Sequence, residues 1–198
     1  MHFGIRNSGN KPRYVRIPMG SNGETLGAIE YQLKCHPDSS TPAVSGVRTL
    51  LQYAPDRILV TYIVDAPKAA LVLPVPAAPR RSSGLWKSTC FELFLHNPGT
   101  EYFEFNFSPS GRWSAYRFSS YREGMQPLPL DEPPSIQVSA ETHRYSLSVV
   151  LELRRKIAMS FGLSAIIEEQ PGVKSYWALS HPQGKPDFHH EDCFVKFE

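Results

Sequence analysis

The sequence predicts an all-β fold, a β-sandwich of two packed antiparallel sheets with at most one short helix. From residue 28 onward the chain divides into short apolar runs separated by proline and glycine clusters, which is typical of sandwiches and barrels. Aromatic residues make up 12% of the chain and favour strands. The 18 prolines among 198 residues, about twice the usual share of roughly 5%, argue against a helix bundle.

The candidate strands are the apolar runs of five to nine residues. In chain order they are residues 29–33, 47–53, 58–64, 70–75, 90–95, 102–107, 113–118, 145–153, 163–168, 175–179 and 193–197. The proline-rich residues 74–79 and 127–134 are expected to be surface connections, because proline cannot donate to a strand ladder. Residues 154–161 are the one candidate helix, ended by Gly162.

Length and charge predict one domain, residues 26–198, after a flexible N-terminal arm of residues 1–25. The first 23 residues of the arm include basic residues but no acidic one, and they lack the apolar stretch of a secretory signal. The most apolar window, residues 58–79, contains Asp65, Lys68 and four prolines, which excludes a membrane helix.

Composition also limits the compartment and the partners. A formal net charge of +2 argues against a nucleic-acid partner. Three widely spaced cysteines form neither a disulfide framework nor a zinc ribbon. We therefore expect a cytoplasmic protein that binds neither nucleic acid nor membrane.

Residues 90–107 predict a hairpin whose two faces differ in chemistry. Alternation places Phe91, Leu93 and Leu95, together with Phe103, Phe105 and Phe107, on one apolar face. If both triplets enter the same core, Glu92 lies beside Asn106 and Phe94 beside Glu104. The opposite face then carries two carboxylates and an amide, groups that bind sugar hydroxyls when aromatic rings frame them. An ordinary solvated face and a glycosidase acid pair are the alternatives.

Residues 186–193 form the densest polar cluster in the chain. His189 and His190 would point to opposite faces of an extended segment, and no metal-ligand spacing is present. We expect no metal here, and His189 is the histidine that we expect to line a pocket.

Three stretches resemble the DOMON-like superfamily, close to the family 9 carbohydrate-binding modules and especially to its small stand-alone bacterial members. They are Trp86-Lys-Ser-Thr-Cys-Phe-Glu92, the run from Tyr102 to Trp113, and Tyr176-Trp177 followed by residues 189–194. The resemblance implies a jelly-roll-like sandwich whose members bind sugars or haem and generally lack catalysis. In the sugar-binding relatives two tryptophans pinch a terminal sugar, and a glutamate six residues after the first bonds its hydroxyls. Trp86 and Glu92 have that spacing, and Trp177 has the later position.

The resemblance also implies haem as an alternative ligand, because haem-binding members use a methionine and a histidine as axial ligands. Met125 and Met159 are the available thioethers, with His181 or His189 as partners.

Together these observations predict a non-catalytic module that binds a small carbohydrate without a cofactor or metal. The expected binding residues are Trp86, Glu92, Glu104, Asn106, Tyr116, Trp177 and His189. The alternatives are a protein-interaction module without a small ligand and a haem-binding domain.

Overall fold

The fold is all-β and antiparallel, as the sequence predicts. This computed structural model describes residues 11–19, 24–54, 56–97, 99–153 and 160–197. The strands are β1 (Arg13–Met19), β2 (Glu24–Cys35), β3 (Gly46–Ala54), β4 (Arg57–Asp65), β5 (Cys90–His96), β6 (Tyr102–Phe107), β7 (Trp113–Phe118), β8 (Gln126–Pro127), β9 (Ser135–Ala140), β10 (Arg144–Glu152), β11 (Ser160–Glu169), β12 (Val173–Ala178) and β13 (Val195–Lys196). Within these ranges the helical elements are 3-10 turns at Lys68–Ala70, Leu85–Lys87 and Glu191–Cys193.

The strands form one 13-stranded sheet in the order β8-β7-β6-β5-β11-β12-β2-β3-β4-β10-β9, with β1 on β2 and β13 on β11. A short ladder between β12 and β2 joins two halves, pairing Trp177 with Cys35 and Ala178 with Lys34. The prediction of two separate sheets is not confirmed, because this ladder makes the sheet continuous.

The main core lies between the two halves of the sheet. Its buried cluster takes side chains from β3, β4 and β10 in one half and from β5, β6 and β11 in the other. Tyr62 on β4 contacts β5 of the other half. Its ring centroid lies 5.0 Å from that of Phe91, and its hydroxyl donates a hydrogen bond to the Glu92 carbonyl at 2.7 Å. Each fully buried side chain of this kind stabilises the fold by roughly 1.5–3 kcal/mol.

A second, smaller cluster lies on the other face of the half that contains β5, β6, β7, β11 and β12. We call this the outer face. Its buried apolar residues are Phe94, Tyr102, Tyr116, Phe118, Ile166, Ala178 and Phe188. Phe188 comes from the segment after β12, so that segment covers part of the outer face and leaves the rest open.

The register of the central hairpin is confirmed. Glu92 pairs with Asn106, and Phe94 pairs with Glu104. The inward residues Phe91, Leu93 and Phe105 join the main core, which places both carboxyl groups on the outer face.

Several element boundaries differ from the prediction. Residues 70–75 are not a strand and make only an isolated bridge from Leu71 to Glu169, because prolines interrupt the segment. β1 lies inside the predicted flexible arm, where it pairs along β2. β8 and β9 were not predicted, and β8 occupies a proline-rich connection at the sheet edge. Residues 154–159 of the candidate helix lie outside the described residues, and residues 160–161 begin β11. No helix in the described part of the chain is long and apolar enough to cross a membrane.

Candidate ligand-binding site

The outer face contains a cavity of about 370 Å³, which we call the Glu92 cavity. Its walls come from the 3-10 turn before β5, from β5, β6, β7, β11 and β12, and from the two loops that follow β7 and β12. The lining residues are Trp86, Glu92, Glu104, Tyr116, Phe118, Arg122, Met125, Ile166, Tyr176, Pro186, Phe188 and His189.

Trp86 stands at the rim of this cavity. Its 3-10 turn begins after Gly84, whose left-handed backbone (φ 72°) turns the chain toward the sheet. Lys174 on β12 donates from Nζ to the Lys87 carbonyl at 2.5 Å and so fixes the turn. The Trp86 side chain is 38% exposed, and its ring lies edge-on to Tyr116 with centroids 6.3 Å apart. The indole can therefore present a face to a ligand.

Glu92 and Glu104 form the polar floor of the cavity. Glu92 is 4% exposed, and its Oε2 accepts a hydrogen bond from Ser164 Oγ at 3.3 Å. Burial, followed by the charge of Glu104, holds the pKa of Glu92 well above its usual range. Burial also raises the pKa of Glu104, although the bond from Asn106 opposes this shift. The charge of Glu104 therefore adds to burial in disfavouring ionisation of Glu92.

Asn106 lies beneath the floor and supports it. It is fully buried, and its Nδ2 donates to Glu104 Oε1 at 2.5 Å. The Cys90 thiol lies 3.6 Å from the Asn106 Oδ1 and can donate to it. Asn106 therefore orients Glu104 and is not itself a lining residue of the cavity.

His189 closes one side of the cavity as a neutral imidazole. Burial, followed by repulsion from Arg122, lowers the pKa of His189 to about 4. The Tyr102 hydroxyl accepts the Arg122 backbone N–H at 3.0 Å and lies 2.8 Å from His189 Nδ1, to which it can donate its own proton. The ring proton then sits on Nε2, 3.7 Å from Glu104 Oε2.

Asp187 ties together the two loops that form the rim. Its carboxylate accepts hydrogen bonds from Arg122 Nη2 at 2.6 Å, from Arg122 Nε at 3.2 Å, from the His189 backbone N–H at 3.1 Å and from the Tyr121 hydroxyl. Burial raises the pKa of Asp187, but the bonds from Arg122 and Tyr121 outweigh burial and hold it below its usual range. Arg122 itself has a positive φ of 56°, an unusual backbone state for a residue with a side chain.

A second cavity of about 610 Å³ adjoins the first, and His189 lines both. Its other walls include His96, Tyr102, Tyr121 and Phe194. His189 therefore contributes to the walls of both cavities.

Five of the predicted binding residues line the Glu92 cavity: Trp86, Glu92, Glu104, Tyr116 and His189. The structure places the sixth, Asn106, under the floor.

Trp177, the seventh, lies on the opposite face of β12. Its indole belongs to the main core, is 6% exposed and donates from Nε1 to Ser175 Oγ at 2.9 Å. As placed, it cannot stack on a ligand in the cavity. The physical reason is strand alternation: Trp177 pairs with core-facing Ala165, so its neighbour Tyr176 takes the outer face.

Sequence reasoning missed Tyr176, Arg122 and the apolar wall residues Phe118, Ile166 and Phe188. Alternation along β7 gives a signal for Phe118, which shares a face with Tyr116. Arg122 gives no sequence signal, because its position depends on a loop whose shape Asp187 fixes from a distant part of the chain.

The histidines that the sequence offers as haem ligands face protein groups in the structure. Met125 and His189 both line the cavity, but both ring nitrogens of His189 face protein groups, Tyr102 and Glu104. Met159 lies outside the described residues, and His181 Nε2 faces the Lys34 carbonyl at 2.9 Å. Among the described histidine, cysteine and acidic residues, no group of three could hold a metal ion.

No family model and no curated protein matches the chain, so the DOMON-like resemblance stays a prediction. A "putative carbohydrate-binding protein" from Bacteroides uniformis is similar in structure, with a TM-score of 0.58 and 14% identity over 85% of this chain and 86% of that one. A family 9 carbohydrate-binding module from Caldicellulosiruptor kristjanssonii in complex with cellotriose gives a TM-score of 0.45 at 11% identity, covering 78% of this chain and 75% of that one. A family 9 module from the same organism in complex with glucose has a TM-score of 0.42 and 12% identity, over 77% of this chain and 76% of that one. At these identities the Bacteroides protein shows a shared fold.

Proposed function

We propose that the Glu92 cavity binds a small carbohydrate and does not transform it. The observation that carries this proposal is the pairing of two buried carboxyl groups with an exposed indole at one opening. Carbohydrates present hydroxyls around their edge and C–H groups on their faces, and they need both kinds of partner.

The two kinds of partner lie where a sugar would meet them. Carboxyl oxygens of Glu92 and Glu104 accept hydrogen bonds from sugar hydroxyls, and these bonds are charge-assisted when the carboxyl group is ionised. The faces of Trp86 and Tyr176 offer apolar surface for the C–H side of a ring. A volume of about 370 Å³ lies at the small end of typical ligand pockets, roughly 300–1,000 Å³, and suits one or two sugar rings.

The shared fold supports the same proposal, since the Bacteroides uniformis protein is named for carbohydrate binding. We infer that the two halves of the sheet act as the layers of a sandwich, with the core between them and the ligand on the outer face of one layer. A cytoplasmic location stays a prediction, in keeping with the free thiols of Cys35, Cys90 and Cys193.

The test is a titration of the protein with a panel of mono- and disaccharides, followed by calorimetry. We expect dissociation constants on the order of micromolar to millimolar, about 4 to 8 kcal/mol. Trp86→Ala should weaken binding roughly tenfold, about 1.4 kcal/mol, without a large change in melting temperature. Tyr14→Ala is the matched control, because Tyr14 is exposed on β1 and does not line the cavity.

Three results would contradict the proposal. They are an absence of binding across the panel, turnover of a chromogenic glycoside that depends on Glu92 or Glu104, and a Soret band on haem addition that Met125→Ala abolishes. Capture of a protein partner without any sugar binding would favour the interaction-module alternative.

A further inference from the structure

We propose that the preferred ligand of the Glu92 cavity is an amino sugar, held by its protonated amine between Glu92 and Glu104. This inference rests on the proposed function and names the class of carbohydrate. A neutral sugar needs only hydroxyl acceptors, whereas this floor offers two acidic groups in one small space.

The first support is the unmet hydrogen-bonding capacity of the floor. Among the described residues, Ser164 alone donates to the Glu92 carboxyl group, and it does so to Oε2, which leaves Oε1 without a donor. Glu92 is buried yet lines the cavity, so a ligand can reach its carboxyl group from within the cavity. An ammonium group has three N–H donors, enough to serve Glu92 and Glu104 together.

The second support is the charge balance of the walls. Arg122 is the one Lys or Arg among the described lining residues, and its guanidinium already pairs with Asp187 at 2.6 Å. His189 stays neutral because burial lowers its pKa to about 4. Arg122 favours the ionised forms of Glu92 and Glu104, but burial outweighs it, so a cationic ligand adds positive charge that the floor still needs in order to ionise.

The third support is the aromatic character of the remaining walls. The rings of Trp86, Tyr116, Phe118, Tyr176 and Phe188 surround the same space. Aromatic faces attract ammonium groups by roughly 0.5–2 kcal/mol, depending on exposure to water, and acids beside such rings add to the attraction. A neutral hydroxyl group gains no comparable attraction to the rings.

The two ligand classes also differ in their dependence on pH. Burial raises the pKa of both carboxyl groups, and the charge of Glu104 raises that of Glu92 further, so the free cavity retains protons that an ammonium ligand displaces. The other described titratable or charged groups near the pair are Tyr62, Cys90, Tyr102, Tyr116, Arg122, Tyr176, Asp187 and His189. Amine binding should therefore strengthen as pH rises from about 5, until the amine itself loses its proton.

The experiment compares glucose with derivatives that carry an amine and with one in which the amine is acetylated. Calorimetry at pH 6.5 with glucose, 2-amino-2-deoxyglucose, 6-amino-6-deoxyglucose and N-acetylglucosamine should show one amine binding roughly ten- to a hundredfold more tightly than glucose. Acetylation removes the charge, so N-acetylglucosamine should lose this advantage. Repeating the titration in phosphate and in ACES, which both buffer at this pH but differ in ionisation enthalpy, should show proton release for the amine.

Glu104→Gln keeps the acceptor for Asn106 and removes the charge, so it should abolish the preference for the amine. Glucose binding should weaken as well, but by a smaller factor than amine binding, because Gln keeps a hydroxyl acceptor at this position. Glu92→Gln serves as a second variant. The matched control is Glu101→Gln, because Glu101 is a surface acid that pairs with Arg117 and does not line the cavity.

The outcomes separate the two proposals. If glucose and the amines bind equally, or if both glutamine variants keep the preference, the amino-sugar inference fails and carbohydrate binding stands. If no sugar binds, the proposed function fails with it.

Discussion

The buried imidazole of His189 should make the folded protein sensitive to mild acid. A histidine with a pKa of 6.5 when unfolded and about 4 when folded binds more protons in the unfolded chain between these values. Its contribution to the free energy of unfolding is therefore lost progressively as pH falls from about 6.5 to about 4. The His189 side chain is 15% exposed, so water screens this effect only weakly.

The size of the effect follows from the two pKa values. Each pKa unit corresponds to about 1.36 kcal/mol, so the full loss below pH 4 is about 3 kcal/mol, and the loss between pH 8 and pH 5 is about 2 kcal/mol. Glu92 and Glu104 act in the opposite direction, because acids with raised pKa values stabilise the fold at low pH. The contribution of His189 must therefore be measured as a difference from a variant.

The variant is His189→Gln, which keeps a polar side chain beside Tyr102 but cannot ionise. Urea unfolding of both proteins at pH 8 and at pH 5 gives four free energies of unfolding. Between these two pH values, the wild type should lose about 2 kcal/mol more than the variant.

His190→Gln is the matched control, since it removes an imidazole from the adjacent, more exposed position. If wild type and His189→Gln respond to pH within about 0.5 kcal/mol of each other, the neutral buried imidazole is refuted.

Three further predictions concern the core, the floor and the rim. Trp177→Ala should lower the free energy of unfolding by about 3–5 kcal/mol, because it opens a cavity in the main core, whereas Trp86→Ala should cost less than about 1 kcal/mol in urea unfolding. Glu92→Gln should raise the melting temperature more at pH 8 than at pH 5, because the raised pKa of Glu92 makes its ionised form unfavourable in the folded state; an equal change at both values would contradict this. Asp187→Asn should weaken the bonds to Arg122, speed amide exchange of residues 119–124 and lower the free energy of unfolding by about 1–2 kcal/mol. Asp192→Asn changes a more exposed acid of the same segment and should have none of these effects.

Alternation along single strands accounts for the part of the site that the sequence predicts. The apolar triplets around Glu92 and Glu104 fix which way both carboxyl groups face, so their pairing needs no long-range information. Trp86 is similarly accessible to prediction, because its short turn follows Gly84 and immediately precedes β5.

The rest of the site depends on contacts that no local pattern encodes. Tyr176 and Trp177 are both aromatic and adjacent, so only the register against β11 decides which of them faces the core. Arg122 reaches the cavity because Asp187, 65 residues later, holds its guanidinium. The edge strand β8 contains Pro127, and the prolines around it predict a surface connection instead of a strand. A proline is tolerated in this strand because β8 pairs on one side only.

The antiparallel registers of β5, β6, β7, β11 and β12 have a consequence for how this protein can change. In all five strands the even-numbered positions face the ligand side and the odd-numbered positions face the interior, as Glu92, Glu104 and Tyr176 show against Phe91, Phe105 and Trp177. Substitutions at the even positions that line the cavity can thus alter selectivity while the interior stays intact. A library restricted to residues 92, 104, 116, 118, 166 and 176 would explore new specificities on an otherwise unchanged scaffold.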